Sequence, residues 1–183
     1  EAGLGDRCEN PLNVLLVGAG TSDYIGKSVC ALLQKEWGCD GEAVPSTDLI
    51  TNMDDHVISG RPYLWISFSR SGDSSEGVAV LQAALERYPQ VKHLVVTCNQ
   101  MGQMGHAFKD HANVFSIILD DEVNDRGLAM TSSFSNMVIV AQALAQEMER
   151  GRSGARPERR RHQHARHERR GQDVLGRQRA LLG

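Results

Sequence analysis

The sequence predicts a three-layer α/β domain, in which a doubly wound, five-stranded parallel sheet is covered by helices on both faces. Three observations predict this fold class. First, short runs of residues recur along residues 11–149. Second, these runs are almost entirely apolar, as in strands that are buried on both faces of a sheet. Third, stretches with helical spacing separate the runs. Right-handed crossovers between such strands give the doubly wound arrangement. Ligands bind such sheets at the carboxyl ends of the strands.

Five apolar runs are the predicted strands. They cover residues 14–17, 42–45, 63–68, 93–98 and 114–119. Their lengths of four to six residues suit strands better than buried helices. Pro45 marks the end of the second strand, because proline lacks the N–H group that a sheet interior requires.

Four stretches between and after these strands have the spacing of amphipathic helices. They cover about residues 22–36, 77–88, 105–109 and 133–149. Gly38 and Gly41 are expected to close the first helix, and Pro89 stops the second because its ring cannot continue a helix. The polar residues 48–54 are interpreted as a helical turn.

Polar residues follow three of the predicted strands and precede the last helix. They form the segments 18–22, 69–72, 98–99 and 131–133. Because parallel strands direct their carboxyl ends to one edge of the sheet, these segments are expected to meet there. The sequence therefore predicts a single binding site at that edge.

The segment 67–76, with the sequence SFSRSGDSSE, is the most informative of them. Five serines and a glycine lie where the third strand gives way to a helix. A helix N-terminus carries unpaired N–H groups and partial positive charge, so it attracts anions, and serine hydroxyls are neutral donors to an oxyanion. Capping by Ser74 or Ser75 is the ordinary explanation, but five serines exceed what capping requires. The segment predicts binding of a phosphorylated small molecule, with Arg70 either in solvent or reaching the ligand.

The turn after the first strand leaves two explanations open. Gly18 and Gly20 begin as a dinucleotide fingerprint does, but Asp23 stands at the third glycine position and would repel a pyrophosphate. The alternative is a tight turn that only lets the helix pack closely on the strand.

Other polar residues receive mainly structural interpretations. Glu76 is expected to order the loop or lie on the helix surface rather than act as a general base. Asp125 and Arg126 are predicted to form a loop ion pair, which would position a substrate. Four histidines are expected to be surface or packing residues: His56, His93, His106 and His111.

The net charge of −3 conceals two oppositely charged parts. Residues 1–150 hold 10 basic and 20 acidic side chains, whereas residues 151–183 hold 10 arginines and three acidic residues. The basic tail has almost no apolar periodicity, so disorder or a frayed helix is expected there. An out-of-frame or truncated translation is favoured over an inert solvated tail and over a nucleic-acid arm. Its three histidines are not expected to bind a metal specifically: His162, His164 and His167.

Cysteine spacing and hydropathy exclude several classes of protein. Four cysteines are scattered without a C-x-x-C pair, which indicates reduced cytosolic thiols rather than disulfides or a zinc site. No apolar run approaches the ~18 residues that a membrane span requires. We therefore expect no cofactor, metal, membrane or nucleic-acid partner. Because the sequence begins without methionine, we expect it to be a piece of a longer protein. The removal of a signal sequence is the alternative explanation.

Five segments together resemble the sugar isomerase (SIS) domain. Residues 18–22 (GAGTS), 67–76 and 97–99 (TCN) carry the resemblance to the class, and the serine segment is specific for it. Residues 43–52 (AVPSTDLITN) and 125–133 (DRGLAMTSS) narrow it to the tagatose-6-phosphate ketose/aldose isomerase family, which is also described as galactosamine-6-phosphate deaminase/isomerase.

The resemblance covers residues 11–149, leaves residues 150–183 as the tail, and implies a flavodoxin-like sheet of five parallel strands. It implies that the phosphate is held by Thr21, Ser22, Ser69, Ser71 and Ser74, and that the substrate is lined by Arg70, Gly72, Leu128 and Thr131. The reaction of the family would open the sugar ring and move a proton between C1 and C2, with loss of ammonia from an amino sugar.

Members of this family carry two SIS domains, and this chain resembles only the first. The resemblance extends to the isomerase domain of glucosamine-6-phosphate synthase. By analogy with that enzyme, the catalytic base, the ring-opening histidine and a terminal lysine come from the second SIS domain or a neighbouring subunit, so no catalytic residue is assigned here. The resemblance implies the phosphosugar-binding half of a cytoplasmic isomerase or deaminase, acting on galactosamine 6-phosphate or tagatose 6-phosphate and assembled as a homo-oligomer. The fragment is expected to be inactive alone. A regulatory module that senses a phosphosugar without catalysis is the alternative.

Overall fold

The computed structural model describes residues 11–153. Contacts divide the chain after Gln146. The first unit carries the sheet, and of the second only the end of the last helix is described. The predicted disorder of the tail falls almost entirely outside the described residues.

Five strands form one fully parallel sheet with the order β2-β1-β3-β4-β5. They are β1 (Asn13–Gly18), β2 (Asp40–Pro45), β3 (Tyr63–Ser69), β4 (Lys92–Thr97) and β5 (Val114–Ile118). The chain starts at β1, moves outward to β2 and then returns past β1 to β3, so the topological switch point lies between β1 and β3. This order confirms the predicted doubly wound sheet. In its register, Gly18 is level with Pro45 and Phe68, which brings the carboxyl ends of the three strands together.

Five helices connect or follow the strands. They are α1 (Asp23–Trp37), α2 (Ser46–Asn52), α3 (Ser75–Arg87), α4 (Gln103–His106) and α5 (Ser132–Ser153). The segment 48–54, interpreted as a helical turn, lies within helix α2 and the start of the 3-10 helix Met53–His56. Gly38 ends α1 in the left-handed conformation, with φ of 62°. The expectation that Gly41 also closes this helix is wrong, because Gly41 already pairs with Val14 inside the sheet.

The core is divided between the two faces of the sheet. On one face, Leu16 and Ile66 pack with Ile25 of α1 and Met137 of α5. The opposite face buries Trp65, with α3 packed over it. Removing one aliphatic side chain of this kind from water contributes about 1.5–3 kcal/mol. Burial on both faces explains why the central strands are apolar runs rather than alternating patterns.

His93 of β4 is a packing residue, as one of the two expectations for it stated. It is fully buried, and its ring lies edge-on to Trp65 with the centroids 5.5 Å apart. Neither ring nitrogen has a hydrogen-bond partner within the described part of the chain. Burial lowers the pKa of His93 from 6.5 to about 4, so the imidazole is neutral at pH 7.

Candidate functional site

A cleft of about 190 Å³ lies at the switch point, between the turn after β1 and the chain from the end of β3 to the start of α3. We define residues 69–74 as the serine loop. Ten residues line it: Ala19, Thr21, Ser22, Phe68, Ser69, Arg70, Ser71, Ser74, Leu128 and Met130. Seven of the nine residues that the family resemblance assigned to the phosphate or to the substrate are among them. The structure thus brings together segments that are separated by more than 100 residues in the sequence.

Two of the nine residues lie outside this lining. Gly72 has φ of +67° and packs against a second loop, where a Cβ atom on it would lie 3.1 Å from Cα of Gly102. Thr131 instead donates its backbone N–H and its hydroxyl to the carboxylate of Asp125, at 2.8 and 2.9 Å.

The turn after β1 is tightly packed against the start of α1. A Cβ atom on Gly18 would lie 2.5 Å from the backbone nitrogen of Asp23, so only glycine fits there. Ser22 and Asp23 are buried, and the Asp23 carboxylate pairs with Lys27. The buried Asp23 carboxylate at the start of α1 argues against a dinucleotide pyrophosphate. The turn does more than let the helix pack on the strand, because Ala19, Thr21 and Ser22 line the cleft.

The serine loop holds three hydroxyls that accept backbone hydrogen bonds. Gly72 N–H donates to Oγ of Ser69 at 3.1 Å, and Asp73 N–H donates to Oγ of Ser71 at 3.2 Å. Ser74 caps α3, where its Oγ accepts the backbone N–H of residue 77 at 3.3 Å. Because each oxygen is held by an incoming N–H, each hydroxyl proton stays available to donate elsewhere.

The carbonyl groups of the same loop are bound by the chain that follows β4. The backbone N–H of Cys98 donates to the carbonyl of Arg70 at 3.2 Å, and the Asn99 side chain donates to that of Ser71 at 2.8 Å. The carbonyl of Gly72 accepts the N–H of Met104 at 2.9 Å. Three successive acceptors that would repel an anion are therefore occupied by donors from the neighbouring loop.

The charges around the cleft also favour an anion. Arg70 is its one cationic side chain, and none of the ten lining residues is acidic. The guanidinium of Arg70 donates to the carbonyl of Gly127, and Oγ of Ser22 lies 3.7 Å from the sulfur of Met130. The nearby Asp73 carboxylate is engaged elsewhere, since it accepts the N–H of residue 103 at 2.9 Å.

Asp125 binds the first turn of α5 instead of Arg126. Its carboxylate accepts five hydrogen bonds, from the backbone N–H groups of residues 131, 132 and 133 and from the hydroxyls of Thr131 and Ser133. The Ser133 hydroxyl and then its N–H are the main causes that lower the pKa of Asp125 well below its usual range. The predicted ion pair is wrong, because the unpaired N–H groups of the helix attract the carboxylate more strongly.

The other candidate groups have structural positions. Glu76 accepts the hydroxyl of Ser75 at 3.2 Å and does not line the cleft, as expected for a residue that orders the loop. Burial raises the pKa of the Cys98 thiol, which keeps it protonated at pH 7. Within the described residues, no cluster of three metal-ligating side chains occurs, and no helix has the length and apolar character to cross a bilayer.

Sequence reasoning missed three lining residues and the role of Asp125. Ala19, Phe68 and Met130 lie inside segments that were identified, but their apolar side chains give no ligand signal of their own. Asp125 is seven residues before the start of α5, and local capping motifs do not extend that far.

This arrangement defines a class: a doubly wound α/β domain with an anion-type cleft at its switch point. No protein-family model matches the chain. D-galactosamine-6-phosphate deaminase AgaS from Escherichia coli O157:H7 is 42% identical over 132 residues, which are 72% of this chain and 34% of that protein. AgaS from Shewanella sp. (strain ANA-3) is 34% identical over 131 residues, 70% of this chain and 34% of that protein.

Solved structures agree with these relatives. Tagatose-6-phosphate ketose/aldose isomerase from Escherichia coli superposes with a TM-score of 0.69 at 36% identity, over 78% of this chain and 40% of that one. The C-terminal domain of glucosamine-fructose-6-phosphate aminotransferase from Francisella tularensis superposes with a TM-score of 0.60 at 16% identity, over 73% of this chain and 34% of that one, and shows the fold alone. The chain belongs to the SIS-domain family of AgaS and tagatose-6-phosphate ketose/aldose isomerase. It spans about a third of the length of the curated relatives it matches.

Proposed function

We propose that the cleft binds the phosphate group of a sugar phosphate. One observation carries the proposal: Ser69, Ser71 and Ser74 each accept a backbone N–H and keep a hydroxyl proton for a ligand. Thr21 and Ser22 present two more hydroxyls from the opposite wall of the same cleft. A hydrogen bond to a charged oxygen is worth about 1.5–3 kcal/mol, so a few such donors give useful affinity.

The surroundings support a dianion rather than a neutral ligand. The N-terminus of α3 begins directly after Ser74 and adds a partial positive charge. Arg70 adds a full one, and the three loop carbonyls are occupied by the chain after β4. A neutral sugar would gain little from this arrangement.

The names of the relatives extend the proposal to substrates. The whole protein is proposed to isomerise or deaminate galactosamine 6-phosphate or tagatose 6-phosphate, in the cytoplasm and as a homo-oligomer. None of the ten lining residues is histidine, lysine or an acid, so proton transfer requires a group from outside this cleft. The same observation favours the second candidate, a module that binds a phosphosugar without catalysis.

A thermal-shift panel tests the binding. It compares hexose 6-phosphates and amino-sugar 6-phosphates with the corresponding unphosphorylated sugars, using the 183-residue chain. A ligand at ~100 times its Kd stabilises the folded state by about 2.7 kcal/mol. We expect stabilisation by the phosphorylated compounds only. Equal shifts with the unphosphorylated sugars would contradict a phosphate site.

A matched pair of variants locates the site. Ser71→Ala removes one donor and should weaken the phosphorylated series by about 1.5–3 kcal/mol. Ser59→Ala changes an exposed serine in the turn before β3, at the other end of the strand, and should leave binding unchanged. The assignment to the serine loop fails if the two variants bind alike.

A further inference from the structure

The chain between β5 and α5 forms a small loop that covers one side of the cleft. We define the 126–130 loop as residues 126 to 130, between Asp125 and the first residue that it binds, Thr131. Two of its side chains, Leu128 and Met130, line the cleft. Leu128 is 98% exposed, so an apolar side chain stands at the cleft mouth with nothing of the described chain packed over it.

The base of this loop is closed by Asp125. Oδ2 accepts the N–H of Thr131 at 2.8 Å and the N–H of Ser133 at 2.9 Å, and it also accepts the Ser133 hydroxyl at 2.6 Å. Oδ1 accepts the Thr131 hydroxyl at 2.9 Å and the N–H of residue 132 at 3.2 Å. Ser133 is completely buried. The carboxylate therefore joins both ends of the loop to the fixed first turn of α5.

Two further contacts hold the loop to the cleft, and both come from residues proposed to bind the ligand. Arg70 donates to the carbonyl of Gly127, and Ser22 donates to the sulfur of Met130. A phosphate is a stronger partner for both, because its oxygens are negatively charged, whereas a carbonyl is a neutral acceptor and a thioether sulfur is a weak one. A bound phosphate would compete with these two contacts, whereas the five hydrogen bonds of Asp125 are made to residues 131–133 of its own chain.

We propose that Asp125 is a positioning residue for this site. It holds the 126–130 loop so that Leu128 and Met130 form the wall against the carbon skeleton of the ligand, and the cleft thereby selects a sugar phosphate over free phosphate. This inference rests on the proposed function. Asp125 itself touches no ligand, because its two oxygens are already filled by donors of its own chain.

The test separates the wall from the phosphate cradle by using two probes. The affinity for inorganic phosphate depends on the serine loop alone. The affinity for galactosamine 6-phosphate depends on the serine loop together with the wall formed by Leu128 and Met130. Titration calorimetry on the 183-residue chain measures both. Asp125→Asn should lower the affinity for galactosamine 6-phosphate about tenfold, and the affinity for inorganic phosphate by no more than about twofold. Asp125→Glu keeps the carboxylate and should restore part of the difference.

Hydrogen exchange supplies a readout without ligand. Amides of the 126–130 loop should exchange about tenfold faster in Asp125→Asn than in the unaltered chain. Asp121→Asn is the matched control, because it removes the same charge from an exposed residue of the short 3-10 helix Asp121–Val123. It should alter neither exchange nor binding. Equal losses for both probes, or unchanged exchange, would overturn the proposal.

A second variant does not depend on the stability of the loop. Leu128→Ala shortens a side chain that is almost wholly exposed, so folding should be unaffected. It should lower the affinity for galactosamine 6-phosphate and leave the affinity for inorganic phosphate unchanged. If Leu128→Ala binds the sugar phosphate as tightly as the unaltered chain does, the proposed wall is refuted. If the unaltered chain binds neither probe, both the proposed function and the proposed selection of a sugar phosphate over free phosphate fail. Hydrogen exchange then still tests whether Asp125 holds the 126–130 loop.

Discussion

Gly102 crosses Gly72 so closely that a Cβ atom on Gly102 would lie 2.8 Å from Cα of Gly72 and 2.5 Å from the carbonyl oxygen of Ser71. The serine loop and the loop after β4 thus meet backbone to backbone. This contact places the carbonyls of the serine loop within reach of their donors. It also explains the glycine at position 102, whose φ of −64° makes no demand for glycine by itself.

Gly102→Ala should therefore disturb the serine loop. Forcing a methyl group into this crossing costs about 1–3 kcal/mol, and the displaced Ser71 should also weaken phosphate binding. Urea unfolding and calorimetry measure the two effects. Gly105→Ala is the control, because its Cβ atom would find its nearest neighbour at an ordinary 3.5 Å. An unaltered unfolding free energy in Gly102→Ala would show that the two loops do not touch in solution.

Ser74 has a structural and a proposed binding role that one substitution can separate. Asp is as good an N-cap as serine, so Ser74→Asp should leave the unfolding free energy within about 0.5 kcal/mol. Its carboxylate would face the cleft, where it repels a phosphate and should abolish binding. Ser74→Ala should instead lower stability by about 1 kcal/mol. Retained phosphate binding by Ser74→Asp, measured by calorimetry, would place the ligand elsewhere.

His93 predicts how stability depends on pH. Burial lowers its pKa to about 4 from 6.5, so between these values the unfolded chain binds more protons than the folded one. Above pH 6.5 the neutral His93 does not lower the free energy of unfolding. As the pH falls from 6.5 towards 4, its protonation in the unfolded chain lowers this free energy, by about 3 kcal/mol in total.

A pair of histidine variants isolates this contribution. His93→Phe keeps a ring against Trp65 and should flatten the curve of unfolding free energy between pH 6.5 and 4. His106→Phe changes an exposed histidine and should keep the shape of the unaltered protein. Curves of equal slope for the two variants would contradict the burial of a neutral imidazole.

The sheet and the serine loop were predictable because their signals are local. A continuous apolar run followed by serines and a helical pattern specifies strand, turn and helix within about 20 residues, as at β3 and α3. Helix α2 was underestimated because it is short and buries only Leu49 as a large apolar residue, too little for a visible periodicity.

The remaining features of the site depend on contacts between distant parts of the chain. The pair Gly72 and Gly102 is 30 residues apart, and Arg70 meets Gly127 across 57 residues. The hydrophobic periodicity of the sequence does not predict contacts between such distant residues. The choice of Asp125 between Arg126 and a helix N-terminus is decided by the position of α5, which only the folded chain defines.

The fixed carbonyls of the serine loop have a thermodynamic consequence. Because Cys98, Asn99 and Met104 already hold residues 70–72, the conformational entropy of this loop is lost during folding. Capture of inorganic phosphate should then lack the large negative heat-capacity change that accompanies coupled folding and binding. The enthalpy of that capture should accordingly vary little with temperature.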